Sequence, residues 1–162
     1  MNMTKKTALY AGSFDPFTNG HMDIVNRALR IFDELTILVA VSPSKKDFLN
    51  KKERKEILEK LFNNNPRVKV DFWSGLIVDY AEKHDISTIV RGLRPTGDFE
   101  IEFQMGAMNR KLYPSVETVF LMTGDNLYYI SSSLVKEIFN HGGEIKDFVP
   151  AIVYDELNRM KK

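Results

Sequence analysis

Cysteine is absent from this 162-residue chain. That excludes disulfide bridges, thiolate metal ligands and a thiol nucleophile, and leaves the redox compartment open. Histidine is scarce: His21, His84 and His141 lie too far apart for the spacing of a zinc site. No stretch approaches the ~20 apolar residues of a membrane-spanning helix, and the opening residues Met1 to Lys6 lead into a run too short for a secretory signal core. A cytoplasmic protein with no membrane partner is expected. Charge of one sign is also lacking, with 23 Lys and Arg against 22 Asp and Glu. Attraction for phosphate must therefore come from local clustering, and no nucleic-acid partner is expected. Three motifs are missing as well: Gly-x-x-x-x-Gly-Lys-Ser/Thr, Gly-x-Gly-x-x-Gly and Gly-x-Ser-x-Gly. Their absence argues against a P-loop enzyme, a typical dehydrogenase and a nucleophile-elbow hydrolase. Catalysis would have to rest on positioning and charge stabilisation.

What is present is a regular alternation. With 43% hydrophobic residues the chain can build a sizeable core, and its length suits a single domain over residues 1–162. Apolar, β-branched runs at Thr7–Ala11, Leu35–Val41, Val68–Phe72, Ser87–Val90 and Thr118–Met122 read as five strands. Between them lie helical stripes: Ile24, Val25, Ala28, Leu29 and Phe32, then Ile57, Leu58, Leu61 and Phe62, then Leu76, Ile77, Tyr80 and Ala81. Strand and helix taking turns implies an α/β fold with a five-stranded parallel sheet, doubly wound and Rossmann-like. The C-terminal Val149 to Lys162 reads as a closing amphipathic helix.

One segment is unusually informative. Gly12-Ser13-Phe14-Asp15-Pro16-Phe17-Thr18-Asn19-Gly20-His21 joins the first strand to the first helix, outside the carboxyl end of a strand, where open α/β sheets bind ligands. Helix N–H groups there favour an anion, so a phosphate is the expected ligand. His21 falls in the first turn, where the helix dipole disfavours an imidazolium unless an anion is near. Asp15-Pro16 resembles an N-cap followed by proline at the first helical position, a purely structural alternative for that pair.

Three more clusters follow later strands: Ser42-Pro43-Ser44-Lys45-Lys46, Arg91-Gly92-Leu93-Arg94 and Tyr129-Ile130-Ser131-Ser132-Ser133. All should face one rim of the sheet. Taken singly, Lys45 or Arg91 is most simply a solvated loop charge. Together, two guanidinium forks and serines at a helix start suit a polyanion. His84 and Asn140-His141-Gly142-Gly143 read as helix ends, the latter with a glycine cap. Residues 98–113 differ, because Ile101, Met105, Met108 and Leu112 form one apolar stripe while Phe99 and Phe103 add a second beside it. Such a helix is either sandwiched inside the domain or joined to another subunit; the subunit contact is the favoured reading.

The Thr18-Asn19-Gly20-His21 tetrad resembles the T/HxGH signature of the nucleotidylyltransferase superfamily. With Ser42 to Lys46, Arg91 to Arg94, Met108-Asn109-Arg110, Val119 to Met122 and Ile130 to Ser133, the order and spacing resemble the bacterial phosphopantetheine adenylyltransferases over essentially the whole chain. The resemblance implies AMP transfer from ATP to 4′-phosphopantetheine with Mg²⁺, yielding dephospho-coenzyme A and pyrophosphate, in a homohexamer. It implies that His21 stabilises the transition state, that Ser13, Lys45, Ile77 and Arg91 contact the acceptor, and that Ser13, Phe14, His21, Gly92, Leu93, Arg94, Glu102 and Leu127-Tyr128-Tyr129-Ile130-Ser131-Ser132-Ser133 meet ATP. Two alternatives stay open. One is another small nucleotidylyltransferase, acting for instance on nicotinamide mononucleotide, and the other is a module that senses ATP without turnover.

Overall fold

The alternation of β-branched runs and amphipathic helices builds a five-stranded parallel sheet. A computed structural model describes residues 5–41, 47–95 and 98–160. The strands are β1 (Thr7–Gly12), β2 (Glu34–Ala40), β3 (Val68–Trp73), β4 (Thr88–Leu93) and β5 (Glu117–Met122). Their spatial order is β3-β2-β1-β4-β5, and every neighbouring pair is parallel. The order reverses between β1 and β4. That switch point opens a crevice at the carboxyl ends of these strands, the usual ligand position in a doubly wound sheet.

Side-chain alternation sends the two faces of each strand to different partners. On one face Ala8, Tyr10, Ile37, Val39 and Val90 pack with α1 (Asn19–Ala28), α2 (Lys51–Phe62), α5 (Ser132–Asn140) and α6 (Ala151–Met160). On the other, Leu9, Ala11, Leu38 and Ile89 meet α3 (Ile77–Lys83) through Val78, Tyr80 and Ala81. Both faces of the central strands are therefore dry, as their near-continuous apolar runs require. The remaining helix, α4 (Asp98–Leu112), approaches β5 through Gly106, where an added Cβ would stand 3.3 Å from Thr118 Oγ1 and 3.7 Å from the Phe120 ring.

Several expectations need correction. Asp15-Pro16 does not cap α1: the helix starts three residues later, with Thr18 as its N-cap. The Asp15 carboxylate instead accepts the backbone N–H groups of Phe48 and Leu49 at 2.9 and 2.8 Å, a tertiary partnership that local capping cannot match. Arg91, Gly92 and Leu93 are not a loop after β4 but its last three residues, because pairing with β5 continues to Leu93↔Met122. In α3, Leu76 is the exposed N-cap and Val78 takes the buried place assigned to it. The helix ends are as expected: His84 is the C-cap of α3 with its ring stacked on Tyr80, and α5 ends at Asn140 with Gly142 at φ +78°.

Candidate active site

A cleft of about 500 Å³ lies at the switch point. Its floor is Tyr10 to Asp15 from β1 and the turn after it. Its walls come from Thr18, Gly20, His21 and Ile24 of α1, Arg91 and Gly92 of β4, Arg94, and Ile130 to Ser133 at the start of α5. The sequence thus gathers the Gly12–His21, Arg91–Arg94 and Ile130–Ser133 clusters around one space. Ser13, Phe14, His21, Arg91, Gly92, Arg94, Glu102, Ile130, Ser131, Ser132 and Ser133 all line it. Ile77, Leu93, Leu127, Tyr128 and Tyr129 do not. Lys45 and the whole Ser42–Lys46 cluster fall outside the described residues.

His21 is held by the start of its own helix. Thr18 and His21 form a reciprocal capping box in which the Thr18 backbone N–H donates to His21 Nδ1 at 3.0 Å, while Thr18 Oγ1 accepts from the His21 backbone N–H at 3.4 Å. The imidazole takes the place that Glu or Gln usually occupies in such a box. With Nδ1 accepting, the neutral ring carries its hydrogen on Nε2. Phe14 meets the ring edge-on at 5.1 Å and Phe17 lies at 5.2 Å. Burial first, then the charges of Arg94 and Arg91, lowers the His21 pKa from 6.5 to about 3. The expected loss of the proton is thus present, but desolvation and two guanidinium groups cause it.

The two arginines of the cleft are neutralised within the chain. Glu102 takes the Arg91 fork in a bidentate pair, with Nε–H to Oε2 at 2.6 Å, and Arg91 Nη1 donates to the Ala11 carbonyl. Asp98 holds Arg94, Nε to Oδ2, at 2.8 Å. The planar guanidinium fork accepts a carboxylate or a phosphate equally. Of the three serines, Ser131 caps α5 by accepting the Leu134 N–H at 3.1 Å, and Ser132 donates to the Pro16 carbonyl at 2.8 Å. One hydroxyl therefore caps α5 and a second ties that helix to the loop before α1. From the start of this helix the cleft is lined by Ser131, Ser132, Ser133 and, one turn on, Lys136.

Beyond the Gly12–His21 cluster, sequence reasoning missed Tyr10, Ala11, Ile24, Asp47, Asp98, Thr123 and Lys136 as lining residues. The Thr18-x-x-His21 spacing was a usable capping signal. Asp98, four residues after Arg94, was a usable ion-pair signal. Asp47 and Lys136 carried none.

A cleft at the strand-order reversal, walled by the Thr-x-Gly-His turn and two guanidinium groups, is what the comparisons with known proteins bear on. A cytidylyltransferase-like family model matches residues 9–138. A phosphopantetheine adenylyltransferase of Caldanaerobacter subterraneus subsp. tengcongensis is 49% identical over 152 residues, covering 94% of this chain and 95% of the relative. The chain belongs to the phosphopantetheine adenylyltransferase family. A relative of the same name from Dictyoglomus thermophilum is 49% identical over 150 residues, 93% of this chain and 92% of its own length. Another, from Desulfatibacillum aliphaticivorans, is 44% identical over 158 residues, 98% and 90% respectively. Membership makes the chain a nucleotidyltransferase and agrees with the parallel doubly wound sheet.

Proposed function

We propose that this cleft transfers AMP from ATP to 4′-phosphopantetheine, and that His21, in its neutral Nε2–H form, is the donor that meets the α-phosphate. The observation that carries the reading is the Thr18–His21 capping box at the switch point, which fixes an uncharged imidazole donor among two arginines and two helix N-termini. A phosphate oxygen of the acceptor attacks the α-phosphorus, the bond from that phosphorus to the bridging oxygen breaks, and pyrophosphate leaves with the electron pair. No proton need pass through the enzyme. The work is alignment and stabilisation of charge spread over the transferring group, for which pre-aligned donors and cations suffice.

Arg91 and Lys45 are assigned to the acceptor phosphate, with Ser13 between the two substrates and Ile77 toward the pantetheine arm. Phe14, Gly92, Leu93, Arg94, Glu102 and the 127–133 segment are assigned to ATP, its phosphates toward the N-terminus of α5. Bound phosphates would displace the Glu102 and Asp98 carboxylates from the two forks, so part of the binding energy goes into breaking those pairs. Among the described residues no group of three or more His, Asp or Glu could hold a metal ion. Asp15, Asp98 and Glu102 already serve amides or arginines. Magnesium accordingly belongs to the MgATP substrate, whose phosphates supply ligands while the ion keeps several waters.

Assembly and location belong to the same proposal. On α4, Phe99, Ile101, Phe103, Met105, Met108 and Leu112 are all exposed, and Met122 of β5 is 73% exposed. A contiguous apolar surface of this kind marks a contact between subunits, here proposed as that of a homohexamer. No helix among the described residues is long and apolar enough to cross a membrane, which fits a proposed cytoplasmic site of action. The test is a substrate panel: ATP and Mg²⁺ with 4′-phosphopantetheine, nicotinamide mononucleotide or glycerol phosphate. Pyrophosphate and dephospho-coenzyme A should form with the first acceptor alone. Release with another acceptor, or ATP binding without release, would refute the assignment.

A further inference from the structure

The largest fully buried side chain in the protein is a charged one, Arg54 of α2, only 2% exposed. Its Nη1 donates to the Ser13 carbonyl at 2.9 Å and its Nη2 stands 3.0 Å from Asp47 Oδ2 as an ion pair, while among the described residues neither Nε nor Nη2 completes a hydrogen bond. A buried guanidinium with incomplete pairing gives little net stability, because desolvation offsets most of the attraction. What Arg54 does hold is a position. Ser13 is followed by Phe14, whose backbone sits at φ 49°, a left-handed conformation unfavourable for a side chain of its size. Asp15 follows, and its carboxylate is pinned by the Phe48 and Leu49 amides. Strained residues persist where their surroundings over-determine them. Here the restraints flank the strain: Arg54 grips the carbonyl on one side and the leader of α2 grips the carboxylate on the other.

We infer that Arg54 is a positioning residue for adenylyl transfer, clamping the Ser13 carbonyl so that Phe14 keeps its left-handed backbone and Ser13 and His21 keep their places in the cleft. The inference rests on the proposed reaction. Without the clamp, Phe14 relaxes toward negative φ, its ring leaves the edge of His21, and Ser13 moves with it. Displacement of about 1 Å near reacting groups can cost about 100-fold in rate, so a tenfold or greater loss of turnover is expected. ATP itself should still bind, because Arg94 and the α5 amides do not depend on Arg54.

The experiment compares Arg54→Met, Arg54→Lys and the unaltered protein in three measurements. Both variants should stay folded at the assay temperature, with the Arg54→Met unfolding midpoint lowered by the unpaired Ser13 carbonyl and Asp47 carboxylate. In Arg54→Met kcat should fall at least about tenfold with KM for ATP changed less than about threefold, and Arg54→Lys, which keeps a cation able to reach the Ser13 carbonyl, should recover part of the loss. Amide hydrogen exchange, read without substrate, should quicken at Phe14, Phe48 and Leu49 in Arg54→Met. Unchanged kcat in folded Arg54→Met overturns the inference, as does a loss of turnover with exchange at Phe14, Phe48 and Leu49 unaltered. If the unaltered protein fails to use 4′-phosphopantetheine, the reaction assignment falls, whereas the exchange result still decides whether Arg54 clamps the turn.

Discussion

Replacing His21 by glutamine separates the two jobs the imidazole holds. A capping box accepts Gln in that place, so His21→Gln keeps an acceptor for the Thr18 N–H, now 3.0 Å from Nδ1, while removing the Nε2–H donor and the titrating ring. Turnover should fall by ~10²–10³, the usual cost of one donor to a charged transition state, with little change in thermal stability. The acid response should change too. The folded ring protonates only near pH 3 against 6.5 when unfolded, because burial and the two arginines disfavour its charge. Between those values the unfolded chain binds the proton and the folded one does not. Stability is thus intact above about pH 6.5 and is lost as pH falls toward 3. At pH 5 the linkage amounts to about 2 kcal/mol, and it is nearly the same for any folded pKa below 4. Urea unfolding at pH 7.5 and pH 5 measures it, since the carboxylates common to both proteins cancel in the difference. Equal pH dependence of the unaltered protein and His21→Gln would refute the reasoning, and so would a directly titrated His21 near 6.5.

The remaining perturbations test other parts of the site and the fold. Thr18→Val should cost about 1 kcal/mol of stability through the lost cap and should also lower kcat, because Oγ1 no longer fixes the turn that carries His21. Asp15→Ala leaves the Phe48 and Leu49 amides without their acceptor and should cost about 2–4 kcal/mol, read as a lower urea midpoint. Gly92→Ala brings a Cβ within 2.9 Å of Ile24 Cγ1, so α1 must shift at the cleft wall, and KM for ATP should rise while the protein stays folded. Met108→Glu, on the exposed stripe of α4, should convert the proposed homohexamer to smaller species in sedimentation velocity without unfolding the sheet.

The route from sequence to fold was short where one local pattern carried the information. β-branched runs separated by single apolar stripes gave the five strands and their parallel sense, since a right-handed crossover helix is the ordinary connection between parallel neighbours. The site was legible for a related reason: strand ends, helix starts and glycine mark the ligand rim whatever the packing elsewhere. Failures came where a distant partner outcompeted a local one. Asp15 preceded a proline in the manner of a cap, yet two amides 33 and 34 residues away took its carboxylate. Arg91 followed an apolar run as loop charges do, yet it became a strand residue because β5 paired with it. Arg54 stands three and four residues before Ile57 and Leu58, in phase with the buried stripe, but its burial depends on the Ser13 carbonyl 41 residues away.

The order of residues by itself determined that this chain forms an alternating α/β sheet and that His21, the two arginines and the α5 serines meet at one end of it, because periodicity and the strand-to-helix turn are local properties. Only the tertiary structure decided the protonation of His21, the carboxylates that occupy Arg91 and Arg94, and the clamp on Ser13. Those depend on burial and on partners far apart in the chain, and desolvation has no counterpart in a string of letters.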